Sequence, residues 1–201
     1  MGVQKIKRSY RKTKYILYKE TLIDFKEHIW AFLGSFIGIG LIAYIQSKTL
    51  MQADVVYLIG SFGASSVLVY GIIQSPLAQP RNLVGGHVVC AIVGVTVAKF
   101  IPDVLWITAP LAVSLSIVLM QMTKTLHPPG GATALIAIIG TPKIKNLGYW
   151  YVLYPVLSGV IILLVVALIF NNMTPNRSYP NHKKYHIIRK KLVGNIKKSL
   201  S

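Results

Sequence analysis

The chain has 201 residues, of which 53% are hydrophobic and 13% charged, and its 22 basic against 5 acidic side chains give a net charge of +17. With a mean hydropathy of +0.55, this composition excludes an ordinary soluble domain and indicates one integral membrane domain. The five acids, Glu20, Asp24, Glu27, Asp54 and Asp103, lie outside the apolar runs. That leaves no paired carboxylates, triad or metal cage, so neither an enzyme nor a cofactor is expected. A cation pathway is also disfavoured, because such pathways are usually lined by carboxylates.

Eight basic residues lie in 1–28, eight beyond Phe170 and six between. Lys and Arg gather on the cytoplasmic side, so both tails are expected there, in a bacterial-type plasma membrane with an even number of crossings. The first apolar run follows a charged segment too long for a signal peptide, so no cleavable leader is expected. Basic tails beside membrane spans meet anionic lipid headgroups rather than nucleic acid. The expected division is a basic N-terminal segment 1–28, a membrane domain 29–171 and a basic tail 172–201.

Residues 1–27 mix Lys and Arg with apolar residues and suit either a surface-lying segment or a loose tail. Ile29 to Gln46 is the first crossing, with Gly34 and Gly38 spaced for close helix packing. The second run, Val55 to Ile73, contains Gly60, Gly63 and Ser61-Ser65-Ser66, which predict a partly unwound entry and a short helix from about Gly63. Pro76 and Pro80 mark a loop that carries Arg81 and Asn82.

Leu83 to Ile101 is the third run; Gly86, Cys90, Gly94 and Ala98 recur every fourth residue and form one smooth face. The lone Cys90 is read as a small packing residue. His87 sits one turn in, either a packing histidine or an anion-attracting group. Val104 to Met122 is the fourth run. Then comes His127-Pro128-Pro129-Gly130-Gly131-Ala132-Thr133-Ala134-Leu135, where two prolines end one helix and suit the first turn of another. The apolar piece Gly130 to Thr141 is only about 18 Å long as a helix, against a hydrocarbon core of about 30 Å, so its start must lie inside the membrane. Leu147 to Phe170 is the last run, and Ile188, Leu192, Ile196 and Leu200 among lysines form an amphipathic tail helix.

The halves of the chain match in order. Ser47-Lys48-Thr49-Leu50 pairs with Thr123-Lys124-Thr125-Leu126, and Gly63-Ala64-Ser65 with Gly131-Ala132-Thr133. Ser75-Pro76 and Arg81-Asn82-Leu83 pair with Thr141-Pro142 and Lys145-Asn146-Leu147. The expected fold is an all-α membrane protein of six helical segments in two three-segment repeats, 29–101 and 104–171, inverted and with short or broken middle helices. The alternative is four spanning helices with two re-entrant segments.

Interrupted segments at matching places point to a transporter's site, and free N–H groups at helix starts favour an anion. The candidate binding residues are Gly63, Ala64, Ser65, Ser66, Lys124, His127, Gly130, Gly131, Ala132 and Thr133. Arg81, Asn82 and His87 are candidates for gating or anion attraction. Lys124 is either an anion contact or a snorkelling surface lysine. No second ligand lies at metal spacing from His127, so a metal site is not expected.

The motif from His127 to Leu135, with Gly60-Ser61-Phe62-Gly63-Ala64-Ser65 and Ser75 to Asn82 leading into Gly85-Gly86-His87, resembles the HPP family of integral membrane proteins. The resemblance runs from about Ile29 to Phe170. It implies four membrane-spanning helices, as the family is usually described, and, from members implicated in nitrite transport in chloroplasts and cyanobacteria, transport of nitrite or a similar small anion. Some relatives carry a nucleotide-sensing domain after the membrane part, for which the residues beyond Phe170 are too few. A small-anion channel, or a membrane scaffold recruiting lipid or a partner through its tails, are the alternatives. Gly-rich helix faces also suit a homo-oligomer.

Overall fold

The computed structural model describes residues 25–174 and 177–181; the basic N-terminal segment up to residue 24 and the amphipathic tail helix lie outside the described residues. Among the described residues all regular structure is helical: α1 (Phe25–Ser47), α2 (Gln52–Ser66), α3 (Pro80–Phe100), α4 (Leu105–Met122), α5 (Pro129–Ile139), α6 (Pro142–Leu147) and α7 (Ser158–Phe170). A π-helical turn, Val67–Gly71, extends α2, and a kinked stretch, Val152–Leu157, in which Tyr154 is extended (φ −137, ψ 125), leads into α7. Five of these segments are long and apolar enough to cross a membrane: Glu27–Ser47, Gln52–Gly71, Pro80–Phe100, Leu105–Met122 and Val152–Phe170. At 1.5 Å per residue α5 is about 16 Å long, half of a hydrocarbon core.

Contacts place the segment ends at two poles. At one, Arg177 reaches the Glu27 carbonyl (3.0 Å) and Asn171 the Val69 carbonyl (2.8 Å), while Arg81 reaches the Thr123 carbonyl (2.8 Å). At the other, Gln46 reaches the Pro155 carbonyl (3.0 Å), Asp54 holds Thr141 and Lys145 pairs with Asp103. The first four long segments therefore run alternately between the poles, α5 runs the same way as α3, and the last long segment runs parallel to α4.

One expectation is corrected here. The second run is not broken at Gly60 or Gly63. Both lie within continuous α2, where an added Cβ would meet nothing within 4 Å, and the only departure is the wider turn at Val67–Gly71. Residues beyond 171 also pack on the helices. Tyr179 is fully buried and donates to the Ala78 carbonyl (2.7 Å), and Arg177 lies against Glu27 (3.4 Å). Burial pushes the Arg177 guanidinium below its ordinary value, and Glu27 opposes that.

The glycines do the packing expected of them. A Cβ at Gly34 would stand 2.8 Å from the Tyr70 ring, and one at Gly38 2.7 Å from its hydroxyl. The face carrying Gly86, Cys90 and Gly94 receives α5: a Cβ at Gly94 would be 2.5 Å from the Ala134 carbonyl, and one at Gly130 2.9 Å from Cys90 Sγ. With no driving force from water between helices in lipid, such close backbone approach supplies the packing energy.

Candidate functional site

Where α2, α3 and α5 meet, five polar side chains form one buried cluster. Ser61 and Ser65 are four residues apart on α2 and share one of its faces. His87 projects from α3, Thr133 from α5, and His127 from the linker between α4 and α5. All five are 0–1% exposed. In an apolar interior, polar groups this deep must satisfy one another.

They do so as a chain. His127 Nδ1 lies 2.9 Å from the Leu77 carbonyl and His127 Nε2 3.0 Å from Ser65 Oγ. Ser65 Oγ lies 2.8 Å from His87 Nε2, and His87 Nδ1 2.7 Å from Thr133 Oγ1. Thr133 Oγ1 is 2.8 Å from Ser61 Oγ, which reaches the Pro129 carbonyl at 3.0 Å. The two imidazoles stand 5.0 Å apart, and Phe62 packs 5.4 Å from His87. A carbonyl only accepts, so His127 Nδ1 carries a hydrogen.

The supports are local. Ser75 Oγ accepts from Leu77 N–H (3.2 Å), Gln79 donates to the Ser75 carbonyl (2.8 Å), and Tyr179 pins the Ala78 carbonyl. The carbonyl facing His127 is thereby fixed. The linker comes close to α3 because Gly85 and Gly86 have no side chains: a Cβ on either would be 2.5 Å from Thr125 Cγ2 or His127 Cβ. Asn82 donates to the Leu126 carbonyl (2.7 Å) and Arg81 to the Thr123 carbonyl. These two hold the linker, whereas the sequence suggested a gate. Tyr151, fully buried ahead of α7, donates to the Thr133 carbonyl (2.9 Å).

Of the candidate residues, Ser65, His87, His127 and Thr133 come together, and Ser61 joins them. Gly130 packs beside them against Cys90 and the Gly86 carbonyl. Gly63, Ala64, Ser66, Gly131, Ala132 and Lys124 stay apart. Ser66 lines a groove beside α1, and Gly131 approaches α4, with a Cβ 4.0 Å from Val113. Lys124 is exposed, with φ 56, in a tight turn where Thr125 N–H reaches the Met120 carbonyl (2.8 Å) and Lys124 N–H the Gln121 carbonyl (3.1 Å). This is a Schellman-type helix end whose left-handed position is usually glycine.

Backbone N–H groups do not provide the expected anion cradle. Those of Gly63, Ala64 and Ser65 belong to the α2 ladder. Gly130 N–H bonds the His127 carbonyl (2.9 Å) and Gly131 N–H the Pro128 carbonyl (3.1 Å). The polar side chains are what the site offers. The missed member, Ser61, had one signal: its spacing of four from Ser65 inside an apolar run.

Fold and site together define an integral membrane protein of apolar helices enclosing a histidine and hydroxyl cluster. The profile of the HPP transmembrane region matches residues 20–180, and the chain belongs to the HPP family. It is 46% identical over 160 residues to a transmembrane protein of Dictyostelium discoideum, covering 78% of this chain and 56% of that protein. A second transmembrane protein of that organism is 45% identical over 160 residues, covering 78% and 51%. The chain thus spans about half the length of the curated relatives it matches. No solved structure matches it.

Proposed function

We propose that this protein carries a small monovalent anion, nitrite or one like it, across a membrane, with the Ser61, Ser65, His87, His127 and Thr133 cluster as its working site. The observation that carries this reading is the cluster itself: five buried polar side chains, none a carboxylate, hydrogen-bonded to one another where α2, α3 and α5 meet. Polar groups at such depth are costly to keep and are the usual mark of a pathway. Hydroxyls and imidazoles are neutral or positive donors, which suits an anion.

Two further features support it. The cluster is closed to solvent, so passage needs the surroundings to open on one side at a time, as in a carrier rather than an open channel. At the pole opposite Arg177, a cavity of about 90 Å³ is lined by Lys99, Asp103, Lys145 and Tyr151, and the Tyr151 hydroxyl reaches the Thr133 carbonyl beside the cluster. Lysines at its mouth raise local anion concentration. The pole bearing Arg81, Lys124 and Arg177 is the cytoplasmic one in this reading, with the basic tails on anionic lipid of a plasma membrane.

Nitrite uptake into proteoliposomes, with nitrate, formate and chloride as competitors, tests the reading. Saturable, protein-dependent uptake suppressed by the preferred competitor is expected. No flux of any of these anions through folded protein would overturn it in favour of a non-transporting membrane subunit.

A further inference from the structure

We infer that the cluster takes up and relays one proton, so that the anion moves together with a proton; this rests on the transport reading above. The ground is a count of hydrogens. The chain from the Leu77 carbonyl through His127, Ser65, His87, Thr133 and Ser61 to the Pro129 carbonyl has six links. Three hydroxyls and two neutral imidazoles supply one hydrogen each, five in all, while both terminal carbonyls only accept. Neutral, the chain always has one link in which lone pair faces lone pair. Ser65 Oγ also lies 3.2 Å from the Ser61 carbonyl, but a hydrogen spent there only deepens the deficit.

One added proton fills every link. With the charge on His127, its Nδ1–H points to Leu77 and its Nε2–H to Ser65. Ser65 then donates to His87 Nε2, His87 Nδ1–H to Thr133, Thr133 to Ser61, and Ser61 to the Pro129 carbonyl. Ser65 stands between two Nε2 atoms, so the charge moves by a balanced double shift. The His127 Nε2–H bond breaks as a Ser65 O–H bond forms, and the original Ser65 O–H bond breaks as a His87 Nε2–H bond forms. No other link changes.

A buried cation without a counter-charge is costly, and a monovalent anion entering beside it removes that cost. Proton and anion binding therefore favour each other. The surroundings supply no competing counter-charge. On α2 the carboxylate is Asp54, which accepts from the Thr141 N–H (2.9 Å) and hydroxyl (2.5 Å). On α3 Cys90 contacts Met120, Arg81 is held on Thr123, and Lys99 lies over the Tyr149 ring. α4 and α5 carry no titratable side chain. Lys124 is exposed, α6 brings Lys143 to the Thr49 carbonyl and Lys145 to Asp103, and Tyr151 ahead of α7 donates to Thr133. Among the described residues no carboxylate bonds either ring.

The test is histidine ¹⁵N NMR of the full chain in lipid nanodiscs, titrated with and without sodium nitrite, with tryptophan fluorescence reporting folding. The expected result is a single proton taken up by the His87 and His127 pair together, both Nε2 signals shifting in one step, and that step moving to higher pH with nitrite. In Ser65→Ala the shared step is expected to vanish; Ser65→Thr, which keeps the hydroxyl, should retain it. Two independent protonations, or rings that stay neutral throughout the folded range with nitrite present, would overturn the inference. Since this readout needs no flux, failed uptake with the shared step intact counts against transport alone. Normal uptake without the step counts against the relay alone.

Discussion

Gly86 lies directly beneath His127: a Cβ added at Gly86 would stand 2.5 Å from His127 Cβ and 2.9 Å from the Thr125 carbonyl. The absence of a side chain on α3 thus sets the position of a histidine that lies forty-one residues later in the chain. Gly86→Ala is expected to push the linker outward and lower stability by about 1–3 kcal/mol, the usual cost of overpacking. Thermal unfolding in detergent checks this. Gly131→Ala is the control: the nearest atom lies at 4.0 Å, and helix propensity favours alanine by about 1 kcal/mol.

Lys124 occupies a left-handed position at the end of α4 with its side chain exposed. Lys124→Gly relieves backbone strain of about 1 kcal/mol, so a higher melting temperature and unchanged anion uptake are expected. Lost uptake in a stabilised variant would give Lys124 an anion-attracting role.

Asp54 is fully buried and accepts from both the N–H and the hydroxyl of Thr141. Asp54→Ala leaves two donors unsatisfied, and a loss of about 1–3 kcal/mol is expected. Competition among anions should be unchanged in the folded fraction, because Asp54 serves the α5 to α6 junction and not the cluster.

Lys145 and Asp103 pair at 2.9 Å with side chains 37% and 74% exposed. Exposed pairs contribute little, so Lys145→Ala should change stability by less than about 1 kcal/mol. Its effect belongs to the cavity mouth: nitrite uptake should show a raised half-saturation concentration, most clearly at low ionic strength, where surface charge is least screened.

Hydropathy made the spanning runs legible. Ile29 to Gln46 falls within α1, Leu83 to Ile101 follows α3 within a few residues, and the prolines of the His127 motif mark the start of α5. The second run misled because Gly60 and Gly63 signal weakness in a chain read alone, while the continuous hydrogen-bond ladder of α2 keeps them helical. α6 was missed because Pro142–Leu147 is a short polar turn without apolar periodicity. At the site, His127 announced itself by its prolines and glycines. The union of His87 with Ser65 and Thr133 did not, since contacts at separations of 22 and 46 residues leave no local pattern. The backbone cradle failed for a related reason: whether a helix-start N–H is free depends on turn bonds that sequence does not display.

The most direct measurement is initial nitrite uptake into proteoliposomes by the natural chain and by Ser65→Ala at matched protein and fold. Saturable uptake by the natural chain and its loss in Ser65→Ala is the expected result, since that hydroxyl joins His87 to His127. Equal uptake by the two would contradict the assignment of the buried cluster as the working site.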